Sequence, residues 1–469
     1  MTALWTAEAV VAATGGETAG GWVASGVSID TRTIAPGDLF VALIGPNRDA
    51  HDFVATALDK GAAAALVSRV PEGADPARLV LVPDTQIALE GLGRAGRARS
   101  AARIAGVTGS VGKTGTKEAL RHVLSRQAPT HASAASHNNH WGVPLSLARL
   151  PERASYGVLE LGMNHPGELR ALTRMVRPHV AIITTVAPAH LAFFPSVEAI
   201  ADAKSEILEG LEPGGVAVLN RDSEHYPRMR RHAERSPAGR IVTFGQHEAA
   251  DWRLENVELG PGHSEVTVSI RKQHRLAYRL GPPGRHWVLN SLGVLAVVEA
   301  LGADVARAAR ALADLRPPAG RGERQQVRLP GGGEVLLLDE SYNANPASMR
   351  AAIELLGQMP GRRIAALGDM LELGEHSAAL HAALAEPILA AGIDLVLTCG
   401  PQMAHLHAAL PAERRGAHES DSTSLAAAVK EALRPGDTLL VKGSLGSRMA
   451  RIIDALQAEE KPTVSRAAL

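Results

Sequence analysis

The stretch that most constrains this chain is Gly106-Val107-Thr108-Gly109-Ser110-Val111-Gly112-Lys113-Thr114. A mostly apolar run, Ala101-Ala102-Arg103-Ile104-Ala105, precedes it and reads as a strand. Gly115 to Leu124 follows, with apolar residues spaced along one helical face. Strand, glycine-rich turn, Gly-Lys-Thr and helix is the layout of a phosphate-binding loop. Glycines let backbone N–H groups converge on phosphate oxygens, and the helix N-terminus adds partial positive charge. Lys113 then reaches the outer phosphates, and the Thr114 hydroxyl is offered to magnesium. The strict spacing asks for glycine at position 107, where this chain has valine. An ordinary glycine–serine turn between a strand and a helix is the alternative reading.

At 469 residues the chain exceeds what one core holds, and length implies about three domains. Basic and acidic residues balance at 49 each, and aromatics make up 3%, so neither nucleic acid nor an anionic membrane is indicated. The lone Cys399 excludes an intramolecular disulfide and a thiolate metal cluster. No apolar run long enough to span a membrane and no secretory leader pattern is present, so the expected location is the cytoplasm. Eight lysines stand against 41 arginines, so Lys113, Lys204 and Lys442 draw notice where they fall in motifs.

Residues 1–100 read as a small α/β unit. Val27 to Arg32 and Gly37 to Leu43 are strands linked through a Pro36-Gly37 turn, and Thr85 to Arg99 is helical. Ser28, Asp30, Thr31 and Arg32 form a polar cluster suited either to a phosphorylated ligand or to a solvated turn. Residues 101–315 form the second unit, a parallel sheet around the P-loop. His137-Asn138-Asn139-His140 breaks its pattern and reads as a loop that hydrogen-bonds a polar substrate. Glu160 lies among apolar strand residues and must be paired, exposed at the strand end, or on a metal. His190 follows a further buried-type strand, Val180 to Val186. Because ligands collect at the carboxyl ends of parallel strands, P-loop, Glu160 and His190 are candidates for one crevice. Residues 316–469 alternate strands and helices from Val335 onward, a doubly wound, Rossmann-like unit after a linker at Pro317 to Gly322. Its first strand-to-helix turn, Asp339-Glu340-Ser341-Tyr342-Asn343-Ala344-Asn345-Pro346, and its last strand end, Lys442-Gly443-Ser444, are expected at a site.

Taken together these motifs resemble the Mur ligases, ATP-dependent amide-forming enzymes of peptidoglycan precursor synthesis. The resemblance spans essentially the whole chain and includes Glu160 to His165, Lys204-Ser205-Glu206 and Gly368 to Gly374. Thr-Gly-Ser-x-Gly-Lys-Thr is the family's own loop, which accounts for Val107. Within the family, the segments Asn138 to Pro144 and Asp339 to Pro346 point to the members that join D-alanyl-D-alanine to UDP-N-acetylmuramoyl-tripeptide through an acyl phosphate. The resemblance implies ATP on Thr108 to Thr114, with Asn290, Arg321, Asp339, Tyr342 and Asn343 holding the nucleotide across a domain gap. It implies one magnesium on Thr114 and Glu160, and a second on His190 and a carbamylated Lys204. Lys113, Glu160, His190 and Lys204 would be catalytic. Ser28, Asp30, Thr31 and Arg32 would hold the uridine diphosphate end of the acceptor, and Asn138, Asn139, Asn345, Lys442 and Ser444 would bind the remaining substrate. The implied partners are these small molecules, with no nucleic acid, no membrane insertion and a monomeric chain. A Mur-type or folylpolyglutamate-type ligase adding one amino acid, and a P-loop nucleotide switch, are the competing readings.

Overall fold

A computed structural model describes residues 3–134, 137–188, 191–260 and 262–458. His190 therefore lies outside the described residues. The chain builds three main sheets of four, nine and six strands, in sequence order.

In the first unit the four strands Gly26–Ser28, Asp38–Val41, Ala64–Val67 and Leu79–Leu81 adjoin in chain order. The strands on either side of Pro36-Gly37 are parallel, with Val27 opposite Leu39. The intervening chain folds back on its own turns: Thr33 N–H donates to Asp30 O, and Ala35 N–H to the Asp38 carboxylate. It thus crosses back and re-enters the sheet at the end opposite the one it left. Phe40, Ala42 and Ala65 bury one face of this sheet and Val27, Leu39 and Val41 the other, the two-sided burial expected of parallel strands. The helix Thr85–Arg99, capped by Asp84 at Ile87 N–H, leads into the second unit.

The nine-stranded sheet places Arg103–Thr108 between Val180–Ile183 and Tyr156–Glu160, all parallel. Thr108 pairs with Ile183, and Val107 with Glu160, so three carboxyl ends finish level. This follows from composition: the three strands are buried along nearly their whole length, and such strands sit at the centre of a sheet covered on both faces. Helices Lys113–Ser125 and Arg285–Ala300 contribute to the core on one face, and Glu168–Val176 and Val197–Ser205 to that on the other. The strands Trp252–Leu259, Ser264–Ile270 and His274–Leu280 form an antiparallel meander at one edge.

The six-stranded sheet runs Glu323–Arg328, Glu334–Glu340, Thr438–Lys442, Arg363–Gly368, Leu395–Cys399, Arg415–Glu419. Its first strand falls directly after the presumed linker and pairs antiparallel with the second. Sequence reading passes over it because only Val327 of its six residues is buried, as suits a polar edge. No helix among the described residues is long and apolar enough to cross a membrane.

Candidate active site

The P-loop is held open by tertiary contacts rather than by its own residues alone. Gly112 stands at φ +87° as the N-cap of the helix Lys113–Ser125. A Cβ there would lie 2.7 Å from Asn290 Nδ2, so the conformation calls for glycine and a larger residue would also displace the Asn290 carboxamide. The Ser110 hydroxyl donates to Ala187 O at 2.9 Å, and Ser110 N–H to Thr185 O at 2.8 Å. The Thr184 hydroxyl donates to Val111 O at 2.6 Å, lashing the loop to the neighbouring strand end. Trp287 closes the other side, packed so near Gly115 that a Cβ there would meet its ring at 2.9 Å.

Thr114 and Glu160 meet at the mouth of this loop. The Thr114 hydroxyl donates to Glu160 Oε2 at 2.8 Å, and Asn138 Nδ2 donates to Oε1 at 2.8 Å. Glu160 is buried, so both carboxylate oxygens are committed to polar neighbours as burial requires. Lys113 Nζ donates to Gly109 O at 2.6 Å. Burial pushes the Lys113 ammonium below the ordinary lysine range; Glu160 opposes that shift and Arg321 adds to it. Lys204, 1% exposed, is pushed well below the ordinary range by burial, with Lys113 adding like-charge repulsion.

A cavity of about 350 Å³ separates this wall from the third unit. Ser110, Val111, Gly112, Lys113, Thr114, Asn138, Glu160 and Asn290 line one side. Arg321, Tyr342, Asn343, Asn345, Lys442 and Ser444 line the other. The Arg321 guanidinium lies 4.2 Å from the Tyr342 ring centroid. Lys442, 2% exposed, donates to Glu340 Oε2 at 3.1 Å and to Asn343 O at 3.0 Å. Asn345 caps the helix Pro346–Gly357 through Ser348, and the Ser444 hydroxyl accepts Leu371 N–H at 3.0 Å.

Several expected residues stand elsewhere. Asp339 is absent from the lining: its carboxylate accepts Gly320 N–H at 3.0 Å and the Ser341 hydroxyl at 2.6 Å. It shapes the turn that carries Arg321. Its neighbour Glu340 faces the cavity instead, because successive strand residues point to opposite faces. Thr108 and Gly109 lie behind the loop, with Gly109 contributing its carbonyl to Lys113. Asn139 lines an adjoining cavity of about 770 Å³, between helices Thr85–Arg99 and Glu168–Val176, that shares Asn138 and Gly162 to Asn164 with the first. Its carboxamide oxygen accepts Gly142 N–H at 2.9 Å, at the start of a helix. Ser28, Asp30, Thr31 and Arg32 remain in the first unit, apart from both cavities, with Arg32 paired to Asp30 at 2.6 Å. His286 and Trp287 line the P-loop cavity without having been singled out, and Glu340 does so from the turn expected at a site. His286 and Trp287 belong to the segment opening a helix at Gly284, and only packing shows which way that segment faces.

The oxygen pair of Thr114 and Glu160 fits a hard cation such as magnesium, which keeps waters and phosphate oxygens in its shell. Among the described residues no group of three histidine, cysteine or carboxylate side chains offers a self-sufficient metal cage. A nucleotide loop, a carboxylate beside its threonine, and a facing domain across a cavity define a P-loop nucleotide-binding protein with its site between domains. Residues 107–298 match the Mur ligase middle domain, and residues 320–445 match the Mur ligase, glutamate ligase domain. The chain belongs to the Mur ligase family. It is 38% identical to the UDP-N-acetylmuramoyl-tripeptide--D-alanyl-D-alanine ligase of Escherichia coli, over 92% of this chain and 93% of that one. MurF from Acinetobacter baumannii superposes with a TM-score of 0.84 at 31% identity, covering 97% of this chain and 99% of that one. MurF from Thermotoga maritima, solved in complex with ADP, gives 0.76 at 28% identity, covering 92% and 97%.

Proposed function

We propose that the chain joins D-alanyl-D-alanine to UDP-N-acetylmuramoyl-tripeptide, converting ATP to ADP and phosphate. The observation that carries this reading is the cavity itself: the P-loop with Thr114 and Glu160 on one wall, Lys442, Asn343 and Tyr342 of a separate domain on the other. Near-full-length similarity to ligases of that name supports the choice of substrates.

The terminal carboxylate of the tripeptide attacks the γ-phosphorus of ATP, forming an acyl phosphate and releasing ADP. The amine of D-alanyl-D-alanine then attacks the acyl carbon, loses a proton, and expels phosphate. Lys113 counters charge on the outer phosphates, and P-loop N–H groups hold the transferred phosphoryl group in line. Thr114 and Glu160 would hold one magnesium ion, which neutralises phosphate charge when bound. Asn138 orients the Glu160 carboxylate. Arg321, Tyr342, Asn343 and Asn290 hold the nucleotide, so that closure of the third domain completes the site. The adjoining cavity, beside Asn138 and Asn139, suits the acceptor's peptide, with Ser28, Asp30, Thr31 and Arg32 toward its uridine diphosphate. Lys442, Asn345 and Ser444 face the incoming dipeptide.

A second magnesium would fall to His190 and Lys204. An ammonium cannot ligate a cation, whereas burial favours the neutral amine of Lys204, the form that adds carbon dioxide and releases a proton to give a carbamate oxygen ligand. Loss of activity in K204A, restored by short carboxylic acids, tests that role; an unaffected K204A refutes it. Its use of ATP and a nucleotide-linked acceptor supports a cytoplasmic location. The working unit proposed is the single chain.

The decisive assay follows ADP release with each substrate omitted in turn. ADP formation that requires both the tripeptide acceptor and D-alanyl-D-alanine is expected. Steady release without either would instead mark a nucleotide switch, and release with a single amino acid a different ligase.

A further inference from the structure

The P-loop helix carries a second lysine that lines neither cavity. Lys117 is 0% exposed and lies one turn beyond Lys113, on the buried side of the helix. Its Nζ donates to Ser133 O at 2.9 Å and pairs with Glu118 Oε1 at 2.6 Å. Ser133 is buried too, and fastened to the strand Tyr156–Glu160 at two points. Its N–H donates to Val158 O at 3.1 Å, and its hydroxyl accepts Glu160 N–H at 3.1 Å. Glu160 then returns to the helix through Thr114 at 2.8 Å. Thr114 and Lys117 are three residues apart and share a helix face. The circuit Lys117, Ser133, Glu160, Thr114 is therefore closed. Five residues past Ser133 comes Asn138, whose carboxamide holds the other oxygen of Glu160.

Burying a lysine carries a desolvation cost that its bonds to Ser133 and Glu118 must offset, whereas an aliphatic residue of similar volume would fill this place without them. We propose that Lys117 is a positioning residue for the ligation. By gripping Ser133 it sets the distance between the P-loop helix and both the Glu160 backbone and the loop bearing Asn138. Thr114 and Glu160 then present their oxygens to one cation. Lys117 touches neither nucleotide nor metal itself. The inference rests on the proposed role of Thr114 and Glu160 as magnesium ligands.

The test compares K117M, S133A, E118Q and E160Q in the full-length chain. Measured are kcat, the KM for D-alanyl-D-alanine, the magnesium concentration for half-maximal rate, calorimetric ADP affinity with and without magnesium, and Tm. K117M is expected to lower kcat by about tenfold or more and raise the magnesium requirement, the scale seen when support of a metal ligand is lost. Its magnesium-dependent gain in ADP affinity should shrink while the dipeptide KM holds. S133A keeps the carbonyl but loses the hydroxyl, and should move the same quantities less. E118Q should lower Tm alone. An unchanged magnesium requirement in K117M overturns the proposal, as does E118Q reproducing its kinetic change. If K117M fails to fold, an unchanged magnesium requirement in S133A overturns it. E160Q separates the underlying reading: if that variant keeps the wild-type magnesium requirement, the assignment of the cation to Thr114 and Glu160 fails instead.

Discussion

Thr114 and Glu160, 46 residues apart in the chain, meet side chain to side chain at 2.8 Å, one on the first turn of a helix and the other at the end of a strand. Their junction puts two oxygen donors where a nucleotide's phosphates would lie. E160Q keeps shape but loses charge, so kcat should fall by roughly 10²- to 10³-fold, the scale for losing one electrostatic stabiliser. Stability should change little, because the amide oxygen still accepts Asn138 Nδ2 and the amide NH2 donates to the Thr114 hydroxyl oxygen in place of accepting from it. Measuring kcat beside Tm checks this; near-wild-type turnover would remove Glu160 from the chemistry.

Lys204 makes stability depend on pH in a definite direction. Its folded-state pKa lies below that of the unfolded chain, which therefore binds more protons in the interval between them. Stability should rise with pH through that interval, and the full penalty should stand below it. K204M removes the titrating group, so in bicarbonate-free buffer its Tm should exceed wild type at neutral pH. The alkaline gain should also flatten, while activity is lost. A wild-type-like slope in K204M would assign the dependence to another group.

Asp339 lies outside the cavity lining and holds Gly320 and Ser341, the turn next to Arg321. D339A strands buried donors, which costs roughly 1–3 kcal/mol. It should also raise the KM for ATP, since the turn presenting Arg321 to Tyr342 loosens. Denaturant unfolding together with ATP kinetics tests both. A raised KM with unchanged stability would mean that Asp339 contacts the nucleotide directly.

Arg32 is mostly exposed, its side chain 83% accessible, so water screens its pairing with Asp30 and the pair adds little to stability. R32A should therefore leave Tm within about a degree or two while raising the acceptor KM several-fold, if the cluster holds a diphosphate. Equal KM values for wild type and R32A would reduce the cluster to a solvated turn.

Gly112 allows a sharper test of the loop. A β-carbon would be strained at φ +87° and collide with Asn290, so G112A should abolish ADP binding measured by calorimetry. Retained affinity would show that the loop relaxes around the methyl group.

Periodicity and local chemistry were enough to read the order of most strands and helices, the P-loop, and the polar segments that end up at strand ends. Those signals are local: a glycine turn before Lys113, an apolar run before Glu160, an asparagine before Pro346. What the chain alone left open depended on register and on contacts between distant residues. Whether Asp339 or Glu340 faces the cavity turns on a one-residue alternation that no composition reveals. The parallel pairing of Val27 with Leu39 and the polar edge strand Glu323–Arg328 depend on partners elsewhere in the sheets. Lys117 looks like any helical lysine until Ser133, 16 residues away, is seen to receive it. Residue type determined which chemistry was present; packing decided which groups point at one another, because burial energy depends on the neighbours that tertiary structure supplies.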